Sequence, residues 1–157
     1  MRRIYCLFVL VLSMCQFAFM NPNFSGRWVY DSAASTLPCT GDRTILHSGN
    51  MLRITNEWNS RIYARDYILD GLEHSQVAQS GSRLKYRAVL NGLTLHIIGS
   101  LNLPRQRLLD QPIDDTYVLS DDMNAITHFT TLIGPKGPFI GREVFRSLRH
   151  VLCAVRI

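Results

Sequence analysis

From residue 43 onward, clusters of turn-forming residues recur at intervals of about ten to thirty positions, and this rhythm restricts the fold more than any other feature of the chain. The clusters are Ser48-Gly49-Asn50, Asp70-Gly71, Ser80-Gly81-Ser82, Asn91-Gly92, Ser120-Asp121-Asp122 and Gly134-Pro135-Lys136-Gly137-Pro138. Segments of that length accommodate a strand and its return, and the residues between the clusters alternate accordingly. Leu84, Tyr86, Ala88 and Leu90 share one phase while Arg83, Lys85 and Arg87 share the other; Leu93, Leu95 and Ile97 likewise oppose Thr94 and His96. One face of such strands is buried and the other wet.

Asp70-Gly71 and Asn91-Gly92 predict tight two-residue hairpins, because a type I′ turn needs positive φ at both central positions. Candidate strands run over 26–31, 43–47, 51–57, 61–69, 72–79, 83–90, 93–100, 116–120, 125–133 and 139–147. The segment 101–115, with two prolines, Arg105, Arg107 and Asp114-Asp115, lacks alternation and reads as a long irregular loop. No stretch after residue 20 has helical periodicity. Ten strands in an open sheet would leave two bare edges and an unprotected face, so the expected fold is all-β. It is an antiparallel meander closed into a barrel of about 8–10 strands, with a two-sheet sandwich as the alternative.

The first twenty residues have a different character. Arg2 and Arg3 precede an uncharged run from Ile4 to Leu12, followed by Ser13, Met14, Cys15, Gln16, Phe17 and Ala18, the order of a secretory leader. Residues 1–20 are therefore expected to be a signal helix that exports the chain to the periplasm or beyond, and 21–157 a single β domain. Left uncut, the run from Ile4 to Met20 is at the short limit for spanning a bilayer, so an anchor is the alternative. Leu12-Ser13-Met14-Cys15 is similar to a bacterial lipobox, which would make Cys15 a lipidation site.

Loss of the leader leaves 15 basic against 12 acidic residues, a formal +3 that is no nucleic-acid footprint. It also leaves Cys39 and Cys153, which in an oxidising compartment could pair; closing so long a loop is worth about 4–5 kcal/mol in the chain-entropy model.

Asn23-Phe24-Ser25-Gly26-Arg27-Trp28-Val29-Tyr30-Asp31 resembles the opening of small, mostly uncharacterised secreted bacterial domains that begin Phe-Ser-Gly-x-Trp-x-x-Asp. Tyr117 to Asp122 and Val144-Phe145-Arg146 resemble their closing hairpin. Gly26-x-Trp28 is also similar to the Gly-x-Trp of lipocalins and avidins, whose calycin-like barrels bind small, mostly apolar ligands. The lipocalin resemblance implies that Arg146, on the last strand, covers Trp28, on the first, as a cation–π contact. That geometry would send Cys39 and Cys153 toward opposite ends, which argues against their pairing.

No catalytic constellation emerges. His47, His74, His96, His128 and His150 lack the spacing of a zinc motif. Asp114-Asp115 and Asp121-Asp122 read as turn residues, adjacent carboxylates on a strand pointing to opposite faces. Gly-x-Ser-x-Gly is absent, and the glycine–proline cluster near 136 lacks phosphate-loop spacing. Arg83, Lys85 and Arg87 form a basic face with no interleaved aromatic residues, best read as solvated. Tyr63, Tyr67, Tyr86, Trp58 and Phe129 could line a cavity or fill a core. The expected function is non-enzymatic binding of a small apolar or amphipathic molecule, without cofactor, metal or nucleic acid, and with contact to a membrane only through the N-terminal segment. The alternative is an interaction module of the envelope.

Overall fold

The computed structural model describes residues 22–38, 41–58, 60–78, 81–103, 110–134 and 137–148. The leader, the lipobox Cys15, both cysteines of the possible disulfide and His150 lie outside these residues. Ten strands follow in chain order: β1 Gly26–Tyr30, β2 Asp42–Ser48, β3 Met51–Trp58, β4 Arg61–Ile68, β5 Glu73–Val77, β6 Arg83–Asn91, β7 Thr94–Asn102, β8 Gln111–Leu119, β9 Ala125–Gly134 and β10 Gly137–Ser147. All pairings are antiparallel, and the spatial order is β4-β3-β2-β1-β10-β9-β8-β7-β6-β5. First and last strands meet, with Trp28 opposite Ser147 and Tyr30 opposite Phe145, so the sheet curls into a nearly closed barrel. This is the all-β barrel expected.

The barrel has one seam, between β4 and β5, which are the ends of the sheet rather than partners. Side chains bridge it. The Ile68 amide donates to the Tyr86 hydroxyl (3.1 Å), Gln76 donates to the Asp66 carbonyl (2.6 Å), and the Tyr67 and Tyr86 rings meet edge to face at 5.1 Å. Asp70-Gly71 therefore makes no two-residue hairpin. Gly71 does adopt positive φ (73°), and Asp70 accepts from the Leu72 amide, but the Leu69 amide still bonds back to β3's turn at Asn50 while Gly71 bonds Ala88. The turn chemistry is present; the partner it implied is not.

Two further expectations change. The hairpin after β6 is Gly92-Leu93, because Asn91 pairs with Thr94; only Gly92 takes positive φ (54°), which departs from type I′. The tight turn at Gly49-Asn50 is of the same size, between Ser48 and Met51. The irregular loop assigned to 101–115 also shrinks. Leu101 and Asn102 belong to β7, and β8 begins at Gln111, with Asp114 opposite Ile98 and Asp115 opposite Ile97. Pro112 lies within this paired stretch.

Alternation puts Phe24, Trp28, Ile45, Leu52, Leu95, Leu119, Ile126 and Phe145 inside, where they fill one end of the barrel. Each fully buried side chain of this kind contributes about 1.5–3 kcal/mol. The Gly-x-Trp spacing has a local cause: the Trp28 indole lies back over Gly26, where a Cβ would touch it at 3.4 Å, and its N–H donates to the Phe24 carbonyl (3.0 Å). At the other end, the segment after β1 runs along β10. Asp31 and Thr36 amides donate to the Val144 and Arg142 carbonyls (both 2.8 Å), and the Val144 amide donates to the Ser35 hydroxyl. Leu37 then packs where Gly141 has no side chain, while the Tyr30 hydroxyl donates to the Leu37 carbonyl.

Candidate functional site

Between the apolar end and the strap at Leu37, four strands direct charged groups inward. Arg43 of β2 shares the inward phase of Ile45, Glu143 of β10 that of Phe145, His128 of β9 that of Ile126, and Asp115 of β8 that of Tyr117. Arg43, His128 and Glu143 are 5, 5 and 1% exposed. One Glu143 carboxylate oxygen accepts from Arg43 Nη2 at 2.6 Å and from His128 Nδ1 at 2.7 Å. An ionised carboxylate has no proton to give, so that ring nitrogen carries the hydrogen. His128 Nε2 faces Asp115 Oδ1 at 3.2 Å, in ion-pair range but without hydrogen-bond alignment.

Aromatic rings enclose the cluster. Tyr117 stacks on His128 with centroids 4.2 Å apart and planes 14° off parallel, and the Arg43 guanidinium lies 4.4 Å from the Phe145 ring centre and 5.5 Å from that of Tyr117. Burial pushes the Tyr117 and Tyr67 phenols well up from their ordinary range. Burial also raises the Asp115 carboxyl, but the His128 ring beside it and a hydrogen bond with Thr130 outweigh that, leaving the group below the usual carboxylate range.

The cluster is incompletely satisfied. Arg43 Nε and Nη1 are buried and without a hydrogen-bond partner. Leaving a buried donor unpaired costs about 1–3 kcal/mol, and an interior normally avoids it. These N–H groups thus leave the interior with hydrogen-bond donors that an acceptor could satisfy. Toward the strap end, the inward phase continues with Tyr63, Leu132 and Phe139, 47, 37 and 47% exposed, so the wall there is apolar and open to solvent.

Of the residues singled out by sequence, Trp28 is buried at the apolar end. Arg146 lies opposite Val29, which sends its side chain to the other face from Trp28; its guanidinium bonds Asp31 at 3.1 Å and holds that carboxyl below its usual range. The interior cation over aromatic rings is Arg43. Tyr67 and Tyr86 are buried inward, Phe129 faces outward opposite Arg142, and the Trp58 side chain lies outside the described set. His74 and His96 pair with Asp70 and Asp114 on the surface, and His47 bonds the Gly49 carbonyl. Asp114 and Asp115 do point to opposite faces, but from a strand and not a turn. Arg83 and Lys85, with Ser100, Asn102 and Asp110, line a groove of about 260 Å³ on the outside.

Among the described residues no three His, Cys, Asp or Glu side chains converge as a metal site. Arg43 and Glu143 escaped the sequence reading, although each is a charged residue in the apolar phase of its strand. That is the signal that could have found them.

No family model matches the chain, and neither does any curated protein. Solved structures do match in fold. Zebrafish ileal bile acid-binding protein complexed with cholic acid superimposes with a TM-score of 0.56 at 16% identity, over 80% of this chain and 98% of that one. A brain fatty acid-binding protein of Drosophila melanogaster gives 0.54 at 15% identity, over 79% and 99%, and the REP1-NXSQ fatty acid transporter 0.55 at 9%, over 79% and 95%. The strand order and these likenesses define a ten-stranded, nearly closed barrel of the calycin type.

Proposed function

We propose that this protein binds a small apolar or amphipathic molecule inside its barrel and performs no chemistry on it. The observation that carries the reading is the pair of unpartnered N–H groups on buried Arg43, set between an apolar core and an open apolar wall. Interior sites of this kind are mostly apolar with a few placed polar groups. Support also comes from the neighbouring structures, whose names specify bile-acid binding, fatty-acid binding and fatty-acid transport.

The ligand would enter past Tyr63, Leu132 and Phe139 and place its polar end at Arg43. The leader-like residues 1–20 and the Phe-Ser-Gly-x-Trp opening support an exported bacterial protein, so the work would be done in the periplasm or outside the cell. Gentle native mass spectrometry of the protein purified from cells tests the binding. An adduct of small-molecule mass, lost on substitution of Arg43, is expected. An adduct-free spectrum together with no uptake of added amphiphiles refutes the reading.

A second reading, an envelope interaction module, draws on the outward apolar residues Ile62, Ile133 and Ile140, each about 70% exposed. Co-purification from envelope extracts separates the two: a carrier elutes alone, a module with its partner.

A further inference from the structure

We propose that the molecule held in the barrel is uncharged at its polar end, an alcohol, ketone, ester or amide, and that the interior discriminates against a carboxylate. The inference rests on the interior binding proposed above and concerns the ligand's class.

It follows from the charge count around Arg43. The guanidinium is already matched by Glu143 at 2.6 Å, and a second carboxylate, Asp115, stands against His128. Two anions therefore face one guanidinium and one imidazole. The formal sum is zero if the imidazole carries a second proton and −1 if it does not. In neither state does the buried cluster hold a positive charge awaiting a counter-ion. An anionic head placed there would be a third negative group in a low-dielectric interior, where an unmatched charge is strongly disfavoured.

The hydrogen-bond inventory points the same way. The cluster offers Arg43 Nε and Nη1 as donors without partners, so it wants acceptor lone pairs without charge. A carbonyl or hydroxyl oxygen supplies them. Arg61 and Arg65, the latter at the side of Tyr67, are the cations on the inward phase of β4, and both are exposed, so solvent screens their charge. They do not alter the buried balance.

The test uses the full chain and three probes on one alkyl chain: dodecanol, methyl dodecanoate and dodecanoate, titrated calorimetrically near neutral pH. The alcohol and ester are expected to bind at least about tenfold tighter than the acid, beyond what their greater partitioning into inert alkane-like carriers explains in a parallel control. In Glu143→Gln, where one negative charge is removed at nearly constant shape, the preference should shift toward dodecanoate by roughly tenfold. Asp115→Asn removes the other carboxylate's charge and serves the same purpose should the first variant not fold. Dodecanoate binding as tightly as the alcohol overturns this inference while leaving interior binding intact, as does a preference unmoved in either folded variant. Failure of all three probes, with buried water then satisfying Arg43, overturns both readings.

Discussion

At the scale of single residues, the interior charges behave as a unit whose members protect one another. Removing Arg43 alone strands Glu143 in a buried setting, and removing one partner of a buried pair typically costs about 3–5 kcal/mol. Arg43→Met is therefore expected to lower stability by that much in urea unfolding, whereas Arg43→Met combined with Glu143→Leu should recover a large part of the loss. A double variant no more stable than the single would show that the pair is not coupled. Gly99 matters for a different reason: a Cβ there would overlap the Lys85 carbonyl and the Tyr86 backbone, which cannot move aside as a flexible side chain does. Gly99→Ala should cost several times the half to one kcal/mol by which Ala normally differs from Gly in a strand, read as a lowered urea midpoint. A neutral effect would contradict the close approach of β6 and β7.

At the scale of elements, the seam between β4 and β5 sets where the barrel opens first. Its closure depends on Tyr86 and Gln76 side chains in place of a ladder, and edge backbone groups lacking a partner strand exchange readily. Tyr86→Phe keeps the ring against Tyr67 but removes the acceptor of the Ile68 amide. Hydrogen exchange at Ile68 should quicken markedly in this variant while amides of β9 and β10 stay as protected as before. Equal acceleration across the sheet would mean that the seam is not an independent unit. The turn rhythm foretold that β4 and β5 would be separate strands around Asp70-Gly71. It could not foretell that they would part, because Gly71's positive φ is a local property and the absence of a ladder is a property of the closed ring.

At the scale of the whole molecule, stability should depend on pH through the half-buried carboxylate of Asp115. Asp115 titrates lower in the folded protein than in the unfolded chain, where the ordinary value is about 3.9. A depressed folded value adds stability that is present above the unfolded pKa and is lost as pH falls through the folded one. Urea midpoints should accordingly decline below about pH 4, and Asp115→Asn should flatten that decline. The phenols act at the opposite limit. Tyr67 and Tyr117 are raised by burial, so their contribution is intact below the ordinary tyrosine value of about 10 and is lost as pH climbs above it. Ultraviolet titration should show these two rings ionising only together with unfolding; early, reversible ionisation of all the tyrosines would contradict their enclosure.

Much of this architecture is legible in the chain because period-two alternation and turn residues act over a few neighbours. Leu84, Tyr86 and Ala88 against Arg83, Lys85 and Arg87 specify which face of β6 is buried, and the spacing of the clusters specifies about ten strands. The buried charge cluster was hidden because Arg43, Asp115, His128 and Glu143 lie up to 100 residues apart, and only closure of β1 on β10 brings β2 against β8 and β9. Trp28 and Arg146 make the same point in reverse. Both strands were correctly placed as neighbours, but a register of Val29 opposite Arg146 turns that arginine outward to Asp31. Local sequence determined strands, faces and turns, since these depend on side-chain alternation and backbone φ. Register, the seam and the buried charge cluster were decided by tertiary structure, since they depend on which distant strands share a hydrogen-bond ladder.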